Sequence, residues 1–404
     1  MTETGESTAV GVGPTDKILI ATVVEVTFKA PVKASLAGAL VTAPHWKFGD
    51  PADQPTKKPV VYALNTASVQ LEVKVEVTKS QNVSGDAKLI GTLDELTFEG
   101  QCPTGEGKHT VQVTLKKVPD SLRRLRGSIV WGLECDGAGL SLALNATQVE
   151  FFTIFKPPLA PFPAHGLGVP VEALRWVFLR GGVDRVQKPE ELVVAVTRAC
   201  HGRPGTKYDT VHGGAHFLQG GSVFELLRYC SPGGGAANCY DQAAAVYLLS
   251  RAFGADVRML YLGYSQLTPD DNFGYINTTA LVGVQACNNP FYQSNGSTTF
   301  SLPNGGTMVV GTFPKPLAPT NWNQDTPKKG MRTSFGNHAF CSYSDQVYDA
   351  CAGPVTGTSR SDYVKSSIDA SCNYYDLFGS KPGTAADIAT NLCLLLGLQP
   401  TSWV

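Results

Sequence analysis

Residues 233–264 read GGGAANCYDQAAAVYLLSRAFGADVRMLYLGY, and no other stretch of the 404-residue chain says more about its architecture. Gly233, Gly234 and Gly235 let the backbone pass close to neighbouring segments. From Ala243 to Ala252 the run is rich in alanine and leucine, which are strong helix formers, and Gly254 is placed to close the helix. Val257 to Leu262 then reads as a strand. Cys239 therefore falls at or just before a helix N-terminus. Free amides and the positive end of the helix dipole stabilise a thiolate or an oxyanion at such a place. The plain alternative is a small apolar cysteine capping a core helix, and this stretch alone leaves both open. Asp241, in the first turn, suits the dipole and reads as structural.

A second stretch bears on the choice. Residues 335–351 read FGNHAFCSYSDQVYDAC, two strand-like runs around a turn-forming group. Folded as a hairpin with Tyr343-Ser344 at its tip, this segment sets His338 directly opposite Asp349. Opposed Cβ atoms lie about 4.5–5.5 Å apart, close enough for a carboxylate to accept an imidazole N–H. Asp349 would then fix the tautomer of His338 and stabilise its imidazolium. A one-residue slip would put the two on opposite faces. Cys341 and Cys351 are off register in this pairing, so no disulfide is expected between them.

A cysteine opening an Ala-rich helix, then a histidine opening a strand, then an aspartate on the next strand, in that order, resembles the transglutaminase-like superfamily of papain-like cysteine enzymes. Residues 233–264 are similar to the family's G-x-C-x-x-x-A core, whose helix ends in R-x-x-G; Arg251 and Gly254 fill those places. GNHAF (336–340) resembles the H-A-W strand, with Phe340 in the aromatic place, and VYDAC (347–351) resembles the segment bearing the acid. Tyr240 stands where many members carry Trp. The resemblance covers roughly residues 190–352.

It implies an α+β catalytic domain and a Cys239–His338–Asp349 triad that transfers acyl groups from protein or peptide amides through a thioester. Transglutamination, glutamine deamidation and thiol proteolysis all fit that machinery. Asn238, Tyr240, Gln219 and Trp176 are the candidate oxyanion or substrate-binding residues. The rival reading is a catalytically inactive scaffold whose N-terminal domain binds a protein or glycan. A third is an effector delivered into another cell and using the same triad. No cofactor and no resident metal is expected. His212 and His216 flank Gly213-Gly214, which disfavours a helix that would align them on a metal, and Asp270-Asp271-Asn272 lacks the rest of a calcium loop.

Upstream the pattern differs. Val69, Leu71, Val73, Val75 and Val77 alternate with polar residues, the period of a half-buried strand. Similar runs at 17–29, 109–118, 127–134 and 139–155 predict a β-sandwich domain over 16–155, immunoglobulin-like in outline, after a flexible lead of 1–15. Four prolines in KPPLAPFP (156–163) interrupt it, giving a linker over 156–170 and a catalytic domain over 171–404. Helices are expected from Val171 to Leu179, from Pro189 to Ala199, and over 222–229 with Ser222 as cap. The stretch 265–337 reads as an insertion over the cleft.

Lys+Arg number 33 and Asp+Glu 34, for a net charge of −1, which argues against a general nucleic-acid partner. A protein or peptide substrate is expected, with a protein partner for the β-sandwich. The N-terminus has no basic and apolar leader and no stretch is long enough to span a bilayer, so no membrane association is expected. The location is then cytoplasmic or reached by a non-classical route. The 10 cysteines form no CxxC pair, against a zinc ribbon or thioredoxin-type site. The sequons at Asn82, Asn145, Asn277 and Asn295 read as chance in a Ser/Thr-rich chain.

Overall fold

The computed structural model describes residues 17–41, 45–51, 54–64, 66–135, 139–166, 168–209, 213–219, 223–263, 275–276, 281–283, 297–301, 307–311, 337–359, 362–363, 368–369 and 385–387. The fold is mixed α+β and divides into two units. One comprises Met1–Pro157, Gly166–Val171 and Asp184–Gln187; the other comprises Pro158–His165, Glu172–Val183 and Lys188–Val404.

The main sheet of the first unit has ten strands among the described residues. They are β1 (Ile18–Phe28), β2 (His45–Lys47), β3 (Val60–Ala63), β4 (Gln70–Gln81), β5 (Asp86–Leu93), β6 (Leu96–Pro103), β7 (Gly107–Leu115), β8 (Arg124–Cys135), β9 (Leu140–Ala143) and β10 (Thr147–Ile154). They follow one hydrogen-bonded path, β2-β1-β4-β7-β6-β5-β8-β10-β3, with β9 also on β8. The β10–β3 pair is parallel. The alternation read at Val69 to Val77 is observed: these five side chains are buried, while Gln70 and Thr78 face solvent. Each such burial contributes about 1.5–3 kcal/mol. They share one core with Leu89, Phe98, Val111, Trp131 and Phe151 from other strands.

Two details fix this sheet. The Trp131 ring packs against Gly91, where a Cβ would lie 2.5 Å from the indole, so only glycine fits beside it. Its Nε1–H donates to the buried Thr147 Oγ1 at 2.9 Å. Where the β1–β4 ladder slips between Val23 and Glu25, Asn145 takes both backbone groups of Val23: Val23 N donates to its Oδ1 at 2.7 Å and its Nδ2 donates to Val23 O at 2.8 Å. The amide of this sequon is therefore committed to the fold. Asn82 sits in a left-handed turn with φ 56°; Asn277 and Asn295 lie outside the described residues.

The second unit carries α1 (Val171–Gly181, from its second residue), α2 (Pro189–His201), β11 (Thr206–Tyr208), β12 (Leu218–Gln219), β13 (Val223–Phe224), α3 (Leu226–Cys230), β14 (Gly235–Ala237), α4 (Cys239–Ala252), β15 (Arg258–Gly263), β16 (Asn337–Tyr343), β17 (Gln346–Asp349) and β18 (Val355–Ser359). Pro189 opens α2 with Glu190 and Glu191 in its first turn. The helix expected over 222–229 is shorter. Val223 and Phe224 extend to pair with Gln219 and Leu218, and helix begins only at Leu226. Ser222 lies outside the described residues.

Antiparallel pairing runs β18-β17-β16-β15 and on to Ala385–Asp387. Helix α4 lies on β16 and α2 and is buried nearly all round, which its alanines allow by letting neighbours approach closely. Gly254 follows it in the left-handed region, φ 81°, and returns its amide to Arg251 O at 3.0 Å. Among the described residues no helix is long and apolar enough to cross a membrane, which says nothing of a β-barrel.

Candidate active site

Helix α4 starts at Cys239 because the residue before it is a strong cap. Asn238 is extended, its Oδ1 accepts from Asp241 N at 3.1 Å, and Asp241 Oδ2 accepts from Asn238 N at 3.1 Å. This reciprocal capping box makes Cys239 the first helical residue. Its amide is one of the first-turn donors for which helix geometry offers no acceptor within the helix. The Cys239 side chain is 3% exposed.

Asp241 does more than suit the dipole. Its carboxylate also accepts from His216 N (2.8 Å), Phe217 N (2.9 Å) and Leu218 N (2.8 Å), so it ties the segment leading into β12 to the head of α4. Burial pushes its pKa up against the opposing pull of these amides.

His338 and Asp349 are brought together. His338 Nε2 lies 2.8 Å from Asp349 Oδ2, and the two side chains are 0% and 1% exposed. Burial works against the His338 imidazolium, but the charge and hydrogen bond of Asp349, reinforced by a hydrogen bond and charge from Cys239, outweigh it and lift the pKa to about 10. With Nε2 engaged by Asp349, the ring nitrogen left for Cys239 is Nδ1. Burial likewise opposes the Asp349 charge, yet His338, the Ala352 amide and the Tyr363 hydroxyl hold the carboxyl below its ordinary value. Asp349 Oδ1 accepts from Cys351 N at 2.8 Å and Ala352 N at 3.0 Å.

The hairpin that presents this pair differs from the sequence expectation. Cys341 pairs with Tyr348, Ser342 with Val347 and Tyr343 with Gln346, so Ser344-Asp345 forms the tip. Both tip residues have positive φ, 47° and 60°, the geometry of a type I′ turn. Aspartate tolerates that region, whereas Tyr343, a bulky strand residue, does so only at a cost. Moving the tip by one residue shifts the pairing by two, which keeps every side chain on its face. Asp349 is thus a diagonal neighbour of His338 and not its opposed partner, still within reach of the imidazole.

Other candidates are placed elsewhere. Asn238 is committed to the cap, and its Nδ2 donates to Gly213 O at 3.0 Å. Tyr240 is half-buried in the first turn of α4. Trp176 packs its ring 5.8 Å from that of Tyr229, in an aromatic cluster with Phe217 and Phe224. Gln219 lies in β12, and its side chain is outside the described residues. His216 Nε2 bonds to Asp209 Oδ2 at 2.9 Å. His212, Asp270, Asp271, Asn272 and most of 265–337 fall outside the described residues, within which no metal-binding cluster occurs. Cys341 and Cys351 are not joined in a disulfide, and Cys341 Sγ donates to Ala243 O at 3.2 Å.

Two residues at the site were missed. Tyr363 donates its hydroxyl to Asp349 Oδ2 at 2.7 Å. His201, on α2, donates from Nδ1 to Ala350 O at 3.1 Å. A sequence signal for the first existed: Ser359-x-x-Asp362 is a capping pattern just ahead of Tyr363. His201, 149 residues distant from its partner, left none.

No family model matches the chain, and no curated protein does. Among solved structures, a crystal structure of red sea bream transglutaminase is similar over 74% of this chain and 52% of its own, at 10% identity and a TM-score of 0.37. The chain thus spans about half the length of that structure, and a likeness at this level carries no argument about activity.

Proposed function

We propose that the second unit, with the catalytic domain taken as 171–404, is a cysteine acyltransferase or hydrolase acting on protein or peptide amides. The observation that carries the reading is the buried His338–Asp349 pair, coupled to a cysteine at the capped start of a helix. His338 takes the Cys239 proton, and the thiolate attacks the amide carbonyl carbon. The first-turn amide of Cys239 donates to the oxyanion. As the C–N bond breaks, His338 returns its proton to the leaving amine and a thioester remains. His338 then deprotonates water or an incoming amine, which attacks the thioester and releases acid or new amide with the thiol regenerated. Asp349 keeps the imidazolium oriented throughout.

For the first unit the proposal is an immunoglobulin-like sandwich over 16–155, serving as a docking module for a protein partner. Its support is the alternating strands that close around one core.

The test is intact-mass analysis of glutamine-rich casein incubated with the protein, with and without a primary amine. Deamidation adds about one mass unit per event, cross-linking gives an amine adduct, and proteolysis gives fragments. Any of these, absent with Cys239→Ala, supports the reading. If wild type and Cys239→Ala leave casein alike, and iodoacetamide shows no preference for Cys239, the scaffold reading replaces it.

A further inference from the structure

Strand β18 does not simply leave the sheet. At its end Ser359 Oγ donates to Asp362 Oδ2 at 2.6 Å and accepts from Asp362 N at 3.1 Å. Next to Asp362, the Tyr363 ring packs 4.7 Å from that of Phe340 and is 1% exposed. Its hydroxyl ends 2.7 Å from Asp349 Oδ2, the same oxygen that receives His338 Nε2.

We propose that Tyr363 is a positioning residue of the triad: its hydroxyl fixes the Asp349 carboxylate in rotamer and in charge, so that Oδ2 presents one lone pair to His338. This rests on the triad reading above. A carboxylate has about four acceptor sites. Here Oδ1 takes two backbone amides, from Cys351 and Ala352, and Oδ2 takes His338 and Tyr363. With all four engaged, Asp349 has no low-cost alternative orientation. Without the tyrosine hydroxyl, Oδ2 would keep one donor, the carboxylate could pivot about its Oδ1 anchors, and its charge would lose one of the groups that favour it. The titratable groups facing Asp349 are His338 from β16, Tyr363, and His201 from α2; Cys239 and Cys351 lie near the Tyr363 hydroxyl.

The experiment measures the rate of Cys239 alkylation by iodoacetamide against pH, by peptide mapping, for wild type, Tyr363→Phe, Asp349→Asn and the double variant. Phenylalanine keeps the ring against Phe340, and a melting curve checks that the fold survives. Tyr363→Phe is expected to slow alkylation about tenfold, the scale of one hydrogen bond to a charged group. It is also expected to move the acid limb to higher pH, because Asp349 then protonates more readily. In the Asp349→Asn background the same change should have no further effect. An unchanged rate and acid limb in Tyr363→Phe, or an equal loss on Asp349→Asn, overturns the proposal. If instead His338→Ala leaves alkylation as in wild type, it is the triad reading that fails.

Discussion

Glu150 and Asp349 are both buried carboxylates beside a nitrogen base, one in each unit, and they do different things. Glu150 Oε1 takes Arg124 Nη2 at 2.9 Å and Nε at 3.2 Å. Arginine keeps its charge at any working pH, so this pair is a fixed brace between neighbouring strands β8 and β10. Asp349 takes His338, whose proton can move, and Cys239, at a helix start, adds a hydrogen bond and charge that favour the same imidazolium. Burial with opposite charge therefore does not mark a site. On the proposed reading, what marks one is a titratable partner with a second outlet.

The comparison breaks most visibly if either pair is cut. Asp349→Ala should cost about 1–3 kcal/mol, because it leaves the buried His338 Nε2 without its acceptor; Glu150→Ala should cost less, because Arg124 is 25% exposed and water can take over its donors. Denaturant unfolding measures this. Only Asp349→Ala should also slow Cys239 alkylation; an equal slowing by Glu150→Ala would erase the distinction.

Next in size is pH. The His338 pKa is raised, to about 10, so its contribution to stability is complete below the unfolded value near 6.5 and is lost as pH rises towards 10. Asp349, with its pKa lowered, contributes above its unfolded value and loses that contribution in acid. The gap in melting temperature between wild type and Asp349→Asn should therefore narrow from pH 7 to pH 10. A gap constant over that range contradicts a titrating pair, whereas the gap for Glu150→Gln should hold constant.

Smaller effects sharpen the contrast. Gly91→Ala forces a methyl into Trp131 and should cost about 1–3 kcal/mol with Cys239 alkylation unchanged. Asn238→Ala removes the α4 cap and should cost about 1 kcal/mol, read by thermal unfolding, yet lower the alkylation rate by loosening the first turn.

What was legible in the sequence follows the range of the forces involved. Strand alternation at Val69–Val77 and the helix from Cys239 are written in neighbours along the chain. The hairpin face was legible too, since its parity survives a two-residue shift, but its tip was not: Ser344-Asp345 is an uncommon type I′ pair beside the expected Tyr343-Ser344. The clamp of Asp241 on 216–218 and the reach of Tyr363 to Asp349 depend on segments joined only after folding. Beyond the Ser359-x-x-Asp362 pattern ahead of Tyr363, no local spacing encodes them.

The most direct test of the account is the rate at which iodoacetamide modifies individual cysteines at pH 7, in wild type and His338→Ala. Burial pushes the thiol of Cys102 up to about 11 and that of Cys200 up to about 12, so both serve as slow internal references. Cys239 should react at least about tenfold faster than either in wild type, and His338→Ala should remove that advantage, since the imidazole creates the nucleophile. A Cys239 no faster than Cys102 and Cys200, or one indifferent to the loss of His338, would contradict the triad.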